Sequence, residues 1–113
     1  MALKNDAGRI LTALREVPDV ASVTRGWPRQ DAKLPCVLVG LAADAAEDYR
    51  DDEEYLTSLE YDVRIFSRTS DDSDAVSDAV DDAMRALGYR RGMRYEDYGE
   101  DIRMVVLRYK QYF

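Results

Sequence analysis

Residues 55–87 read YLTSLEYDVRIFSRTSDDSDAVSDAVDDAMRAL, and the spacing of their apolar side chains changes once along this stretch. In residues 59–65 every second side chain is apolar, which predicts a strand with one buried face and one charged face. After a polar turn at residues 67–70, apolar residues recur at helical spacing and predict a helix that ends at Leu87. The buried stripe predicted for this helix consists of Ala75, Val76, Ala79, Val80, Ala83, Met84 and Leu87.

The predicted helix has a recognisable start and end. Thr69 or Ser70 can cap its first N–H groups, and three aspartates at positions 71, 72 and 74 place negative charge at the positive end of the helix dipole. Gly88 follows the last apolar residue, where helices commonly close with a left-handed conformation. We therefore expect a strand–turn–helix unit around which the remaining chain completes one sheet.

The rest of the chain predicts one further helix and four further strands. The helix falls within residues 3–14, and strands are predicted at residues 20–25, 36–41, 89–98 and 102–112. Because hairpins favour antiparallel pairing and each helix has a single apolar stripe, the predicted fold class is α+β. We expect a two-layer sandwich in which two helices cover one face of an antiparallel sheet, loosely ferredoxin-like, with the order α-β-β-β-α-β-β.

An acidic segment follows the apolar strand at residues 36–41. Residues 42–55 predict a long hairpin arm with its tip near residues 50–53, and a short helix over residues 42–48 is the alternative. At 113 residues the chain is expected to form a single domain over residues 1–113, with this arm as an extension.

Composition excludes several functional classes. The formal net charge of −7 disfavours sequence-independent binding to nucleic-acid phosphates and docking on anionic membranes. No apolar run is long enough to span a membrane, no signal pattern opens the chain, and a single cysteine allows no internal disulfide, so we expect a cytosolic protein when it is made.

Histidine, the commonest acid–base residue of enzymes, is absent from the sequence. There is no histidine to activate Cys36, which follows Pro35 in an apolar strand and is interpreted as a packed, inert thiol. The abundant carboxylates lack the spacing of a calcium loop, and the glycines form no phosphate-binding loop. We expect neither an enzyme nor a bound metal or cofactor.

Tyrosines and clustered charges predict a protein interface. The chain has eight tyrosines against two phenylalanines, too many to bury with every hydroxyl satisfied. Trp27, in a loop between prolines, is either a lid over the core or an interface anchor. The basic cluster near residue 90 could suggest single-strand binding by stacking with Tyr89 and Tyr95, but the net charge favours an acidic protein surface, including another copy of this chain. The candidate interface residues are Trp27, Asp48, Tyr49, Arg50, Asp51, Asp52, Tyr55, Arg90, Arg91, Arg94 and Tyr95.

Several segments together resemble the tail-completion (tail-terminator) proteins of long-tailed bacteriophages. These segments are LPCVLVG at residues 34–40, LEYDVRIFSR at 59–68, VDDAMRALGYR at 80–90 and VVLRY at 105–109, together with the N-terminal helix and the polar helix start at 70–74. The resemblance covers nearly the whole chain, and the acidic arm is the region that matches least.

This resemblance implies a structural role in the virion. Such proteins form a six-membered ring that caps the tail tube, stops its polymerisation and provides the head–tail joining surface. The implied partners are other copies of this chain, the tail tube protein and the head–tail connector protein, while DNA only passes through the bore. The implied location is the head–tail junction of the virion, and the host cytoplasm during assembly. The alternative function is an acidic inhibitor or nucleic-acid mimic that binds a basic partner protein.

Overall fold

The computed structural model describes residues 4–27, 32–50 and 53–113, and it describes only the backbone of residues 47–50 and 53–55. The elements follow the predicted order of helices and strands. They are α1 (Ala7–Leu14), β1 (Ser22–Arg25), β2 (Cys36–Arg50), β3 (Glu53–Ser67), α2 (Ser70–Ala86), β4 (Arg90–Tyr98) and β5 (Arg103–Tyr112).

Within this described chain, five strands form one sheet in the order β1-β2-β3-β5-β4. The β2/β3, β3/β5 and β4/β5 pairs are antiparallel, but β1 runs parallel to β2, with Ser22 opposite Cys36. The α+β sandwich is confirmed, and the prediction of an entirely antiparallel sheet is wrong at this one pair. The reason is that ten residues separate Arg25 from Cys36, enough to return the chain to the starting end of a four-residue strand.

Both helices contribute to a core that lies against one face of the sheet. The stripe of α2 contributes Val76, Val80 and Met84, each at most 1% exposed, and α1 contributes Ile10 and Leu14, which are fully buried. The facing strand residues of this core are Val23, Val37, Val39, Leu59, Tyr61, Val63, Ile65, Val105, Leu107 and Tyr109. We call the opposite side of the sheet the open face.

The ends of α2 are as predicted, but its buried stripe is turned slightly. The Thr69 hydroxyl oxygen accepts from the Asp72 N–H at 3.1 Å, and Gly88 adopts φ +95°. Ala75 is exposed, whereas Ser73 and Ser77 are buried. The buried positions follow helical spacing and are 73, 76, 77, 80 and 84. Two small serines therefore occupy core-facing positions, whereas the apolar pattern alone assigned Ala75 to the core.

A polar cluster joins the start of α1 to the sheet. The Asp6 carboxylate accepts from the Tyr89 hydroxyl at 2.7 Å and from Arg9 Nε and Nη2 at 2.9 and 2.8 Å, while the Asp6 N–H donates to the Tyr61 hydroxyl oxygen at 3.0 Å. Burial raises the pKa of Asp6, but the hydrogen bonds from Arg9 and Tyr89 outweigh it and hold that pKa below its ordinary value. Tyr89 is therefore a core residue and not part of the exposed strand that we predicted from residue 89.

The acidic segment is strand rather than helix over residues 42–50. β2 and β3 remain paired as far as Arg50 opposite Glu53, with irregularities after Leu41, Ala46 and Asp48. Residues 51–52, at the predicted tip, lie outside the described residues. β5 accompanies β3 only as far as Ser58, so the far part of this hairpin extends beyond the three-stranded centre of the sheet. The molecule measures 53 Å along its longest axis and 24 Å along the other two.

Replacing Val80 with aspartate should remove most of the stability of this domain. Val80 is fully buried between α2 and the sheet, and an unpaired carboxylate there should lower the free energy of unfolding by about 4 kcal/mol. The matched control is Ala75→Asp, which adds the same charge at an exposed position of the same helix and should cost less than about 1 kcal/mol. Chemical denaturation of both variants checks the helix phase, and equal losses would contradict it.

Candidate subunit interface

The strand β4 forms one edge of the sheet, and all nine of its residues are exposed. Directly paired residues share a sheet face, so the register with β5 fixes the side on which each lies. Arg91 and Arg94 pair with Tyr109 and Leu107, two core residues, and therefore lie on the helix side. Tyr95 pairs with Val106 and lies on the open face.

The three arginines predicted as one basic cluster are thus divided between the two faces. Arg90 pairs with Lys110 on the open face. On the helix side, Arg91 Nη1 lies 4.0 Å from Asp81 Oδ1, and Arg94 Nη2 lies 3.1 Å from Glu96 Oε1. An irregularity between Arg91 and Met93 shifts the alternation, and the sequence pattern gives no sign of it beyond Gly92. Because Tyr89 is buried, it cannot stack with Tyr95 on the bases of a single nucleic-acid strand, as the alternative interpretation of the basic cluster required.

Asp81 is a site residue that lies outside the apolar stripe predicted for α2, and a stripe of apolar residues assigns it to the outward side of the helix, which is wrong. Its carboxylate accepts from the Tyr109 hydroxyl at 2.9 Å and lies 2.9 Å from Arg85 Nε. Burial, followed by the hydrogen bond to Asp81, raises the pKa of Tyr109 far above its ordinary value. Asp81 therefore links α2 to the core residue Tyr109 and to Arg91 at the sheet edge. The i, i+4 spacing of Asp81 and Arg85 was the sequence signal that could have identified Asp81 as a paired carboxylate.

A second polar group lies further along β4 on the helix side. The Tyr98 hydroxyl donates to the Glu96 carboxylate, and the Arg103 guanidinium lies 4.9 Å from the centre of the Tyr98 ring. The hydrogen bond from Tyr98, followed by that from Arg94, holds the pKa of Glu96 below its usual range. The exposed strand therefore presents both charges, with arginines towards its beginning and carboxylates towards its end.

The open face is not the simple water-facing surface that its charged residues predicted. Asp62 is only 6% exposed, and its carboxylate accepts from Arg108 Nε and Nη2 at 2.8 and 3.1 Å, with Arg64 3.7 Å away. Leu38 and Val106 are also buried on this face although they lie outside the main core. Long arginine stems therefore shield apolar side chains here.

An apolar cavity lies on the open face beside Trp27. Its volume is about 510 Å³, and its lining residues are Gly26, Trp27, Leu38, Gly40, Leu41, Arg64, Phe66 and Met104. Trp27 is 91% exposed, so it does not act as a lid over the core. Of the two roles considered from the sequence, the interface anchor stays a prediction. Exposed aromatic residues beside an apolar recess are typical of protein contact sites.

The arm residues predicted for the interface are only partly described. Asp48, Tyr49 and Arg50 lie in β2 and Tyr55 lies in β3, where only the backbone is described. Asp51 and Asp52 lie outside the described residues. Their part in an interface stays a prediction.

The thiol of Cys36 and the carboxylates are the groups considered for a reactive site. Cys36 is buried at the start of β2, and burial raises the pKa of its thiol, which disfavours the nucleophilic thiolate. Among the described side chains, which are those of residues 4–27, 32–46 and 56–113, no three metal-ligating groups come together. Neither α1 nor α2 has the length and hydrophobicity that a membrane-spanning helix requires.

Comparison with known proteins gives a fold relationship. No family model matches this chain, and no curated protein matches it. Among solved structures, a chain in the virion of a native gene transfer agent particle is similar, with a TM-score of 0.62 over 89% of this chain and 88% of that chain. This chain shares its fold with a virion chain. The two sequences are 17% identical, so the similarity establishes the fold alone.

Trp27 provides a direct spectroscopic test of the open face. It is the single tryptophan of the chain and is almost fully exposed, so the dilute protein should emit at the wavelength of tryptophan in water. If Trp27 anchors an interface, its emission should shift to shorter wavelengths as the concentration rises and the protein assembles. Assembly seen by light scattering with no emission shift would exclude Trp27 from the contact.

Proposed function

We propose that this chain is a structural virion protein that forms a six-membered ring on the end of a phage tail tube. The ring stops polymerisation of the tube and provides the surface to which the head is joined. The observation that carries this proposal is the fold shared, over most of both chains, with a chain of a gene transfer agent virion. The sequence resemblance to tail-completion proteins supports the more specific role.

A closed ring requires two different surfaces on each copy that fit each other. This chain has a strongly acidic side and an edge strand with three arginines. Surfaces of opposite charge on two copies attract each other, which favours a contact between these two surfaces. The exposed carboxylates of α2 are Asp71, Asp72, Asp74, Asp78 and Asp82.

The proposed ring has two neighbours in the virion, the tail tube protein below and the head–tail connector protein above. The chain acts at the head–tail junction and is assembled in the host cytoplasm. Carboxylates that line a bore repel DNA phosphates, so the genome passes through without specific binding. We propose no catalytic activity, because the buried Cys36 has no activating base and the helix carboxylates are solvated.

A charge reversal on β4 tests the head-to-tail contact. Arg90→Glu combined with Arg91→Glu should weaken self-association at least about tenfold, because like charges would then face the acidic surface of the neighbour. Both residues are exposed, so the monomer should remain folded. Sedimentation velocity over a concentration series measures the association.

The control for this variant is Arg15→Glu with Lys33→Glu, which makes the same change of charge at exposed positions away from β4. It should associate like the unmodified chain. An oligomer unchanged by the β4 reversal, or weakened equally by the control, would exclude the arginines of β4 from the contact.

The five exposed aspartates of α2 also favour an acidic inhibitor as the second candidate function. That function predicts a monomer that binds a basic nuclease or polymerase tightly and loses affinity as salt is added. A chain that associates only with itself would exclude it.

A further inference from the structure

The hydrogen-bonding direction of β4 shows which of its main-chain groups are available at the sheet edge. The Gly99 N–H donates to the Ile102 carbonyl at 2.8 Å, so Gly99 directs its N–H towards the β5 side at the turn between β4 and β5. Antiparallel pairs alternate between bonded and non-bonded. With the register of β4 against β5, Tyr95 and Asp97 therefore direct their N–H groups towards β5, while Arg94 and Glu96 direct theirs away from it.

An independent contact supports this assignment. By the same alternation the Tyr98 N–H points away from β5, and it donates to the Asp97 side-chain oxygen at 2.9 Å instead of to a strand. The last outward group is thus satisfied locally. The amides and carbonyls of Arg94 and Glu96 face a side of β4 on which the described chain places no strand.

A second open edge lies on the arm. Thr57 and Phe113 exchange both main-chain hydrogen bonds, at 2.9 and 2.7 Å, so in β3 the neighbouring Ser58 directs its groups towards β2. Ser58 pairs with Ala45, and the residues on either side of Ala45 therefore direct their N–H and C=O groups away from β3. These residues are Asp44 and Ala46.

The strand β1 does not cover this part of β2. Its register ends with Arg25 opposite Val39, and the Gly26 N–H donates to the Val39 carbonyl at 2.9 Å. From Gly40 onwards, the outward edge of β2 therefore has no neighbouring strand among the described residues. Among the described residues, open strand edges therefore lie on opposite sides of the sheet, at β4 on one side and at the far part of β2 on the other.

We propose that these two edges pair with each other between copies, so that β4 of one copy adds as a strand to β2 of the next. The main-chain groups of Arg94 and Glu96 would bond those of Asp44 and Ala46 of the second copy. The charges match, because Asp44 is exposed and adjacent or diagonal strand positions bring it within reach of Arg94. This pairing rests on the proposed ring and defines its subunit contact.

When each copy pairs through two different edges, every added copy leaves one edge of each kind free at the two ends of the assembly, so the contact can repeat. Such a head-to-tail contact closes into a ring when the rotation per copy divides a full turn. It also explains why all nine residues of an edge strand are exposed in the single chain, since exposed edges tend to pair with other chains.

Glu96→Pro, with Glu96→Ala as its matched control, tests the main-chain contact. Both remove the side chain and its ion pair with Arg94, but only proline removes the outward N–H. Proline is tolerated on an edge strand when its nitrogen faces solvent, so both variants should fold. Analytical ultracentrifugation should show self-association at least about tenfold weaker for the proline variant than for the alanine variant.

An exchange of charges between Arg94 and Asp44 tests whether the arm strand β2 is the segment that pairs with the edge of β4. Arg94→Glu and Asp44→Arg should each weaken association, and the double variant should recover a large part of it. Loss in the proline variant without recovery in the double variant would overturn the arm as the occupant.

The failure of this pairing is distinguishable from the failure of the proposed function. Rings that form equally well with Glu96→Pro and Glu96→Ala would overturn the strand pairing and leave the ring intact. An unmodified chain that stays monomeric, alone and with tail tubes, would overturn both.

Discussion

Packing of α2 across β3 and β5 is the interaction on which the other features of this chain depend. Val76, Val80 and Met84 are buried in the core that also contains the inward residues of β3, and α1 contributes Ile10 and Leu14 to the same core. Both helices lie on the opposite side of the sheet from the open face. The apolar residues of the open face are therefore buried by neighbouring side chains of the sheet. Arg64 lies between Leu38 and Val106 in the sheet, and the paired Asp62 and Arg108 lie one position further along the same face.

The same constraint leaves the edges of the sheet uncovered. α2 approaches β4 on the helix side, where Arg91 lies 4.0 Å from Asp81, but among the described residues no strand pairs with the outward edge of β4. The four-residue β1 covers only the first part of β2. A larger protein would bury such edges under further elements. In the described chain the two edges differ, because β4 begins with three arginines whereas Asp44 lies exposed on β2, and this difference is the basis of the head-to-tail assembly that we propose.

Features set by local sequence pattern were predictable. The change of period within residues 55–87 located β3 and α2, and Thr69 and Gly88 marked the helix ends because capping depends on a few adjacent residues. Features set by pairing were not. The parallel β1, the irregularity after Arg91 and the inward turn of Asp81 all depend on partners distant in sequence. Candidate interface residues could be chosen by type, but the division of the three arginines between two faces required the register.

The central claim is that this chain assembles head to tail into a closed ring, and native mass spectrometry over a concentration series tests it most directly. The predicted result is one discrete species of six copies that grows with concentration at the expense of monomer and appears as rings by negative-stain imaging. A strict monomer at every concentration, both alone and in the presence of assembled tail tubes, would contradict the claim.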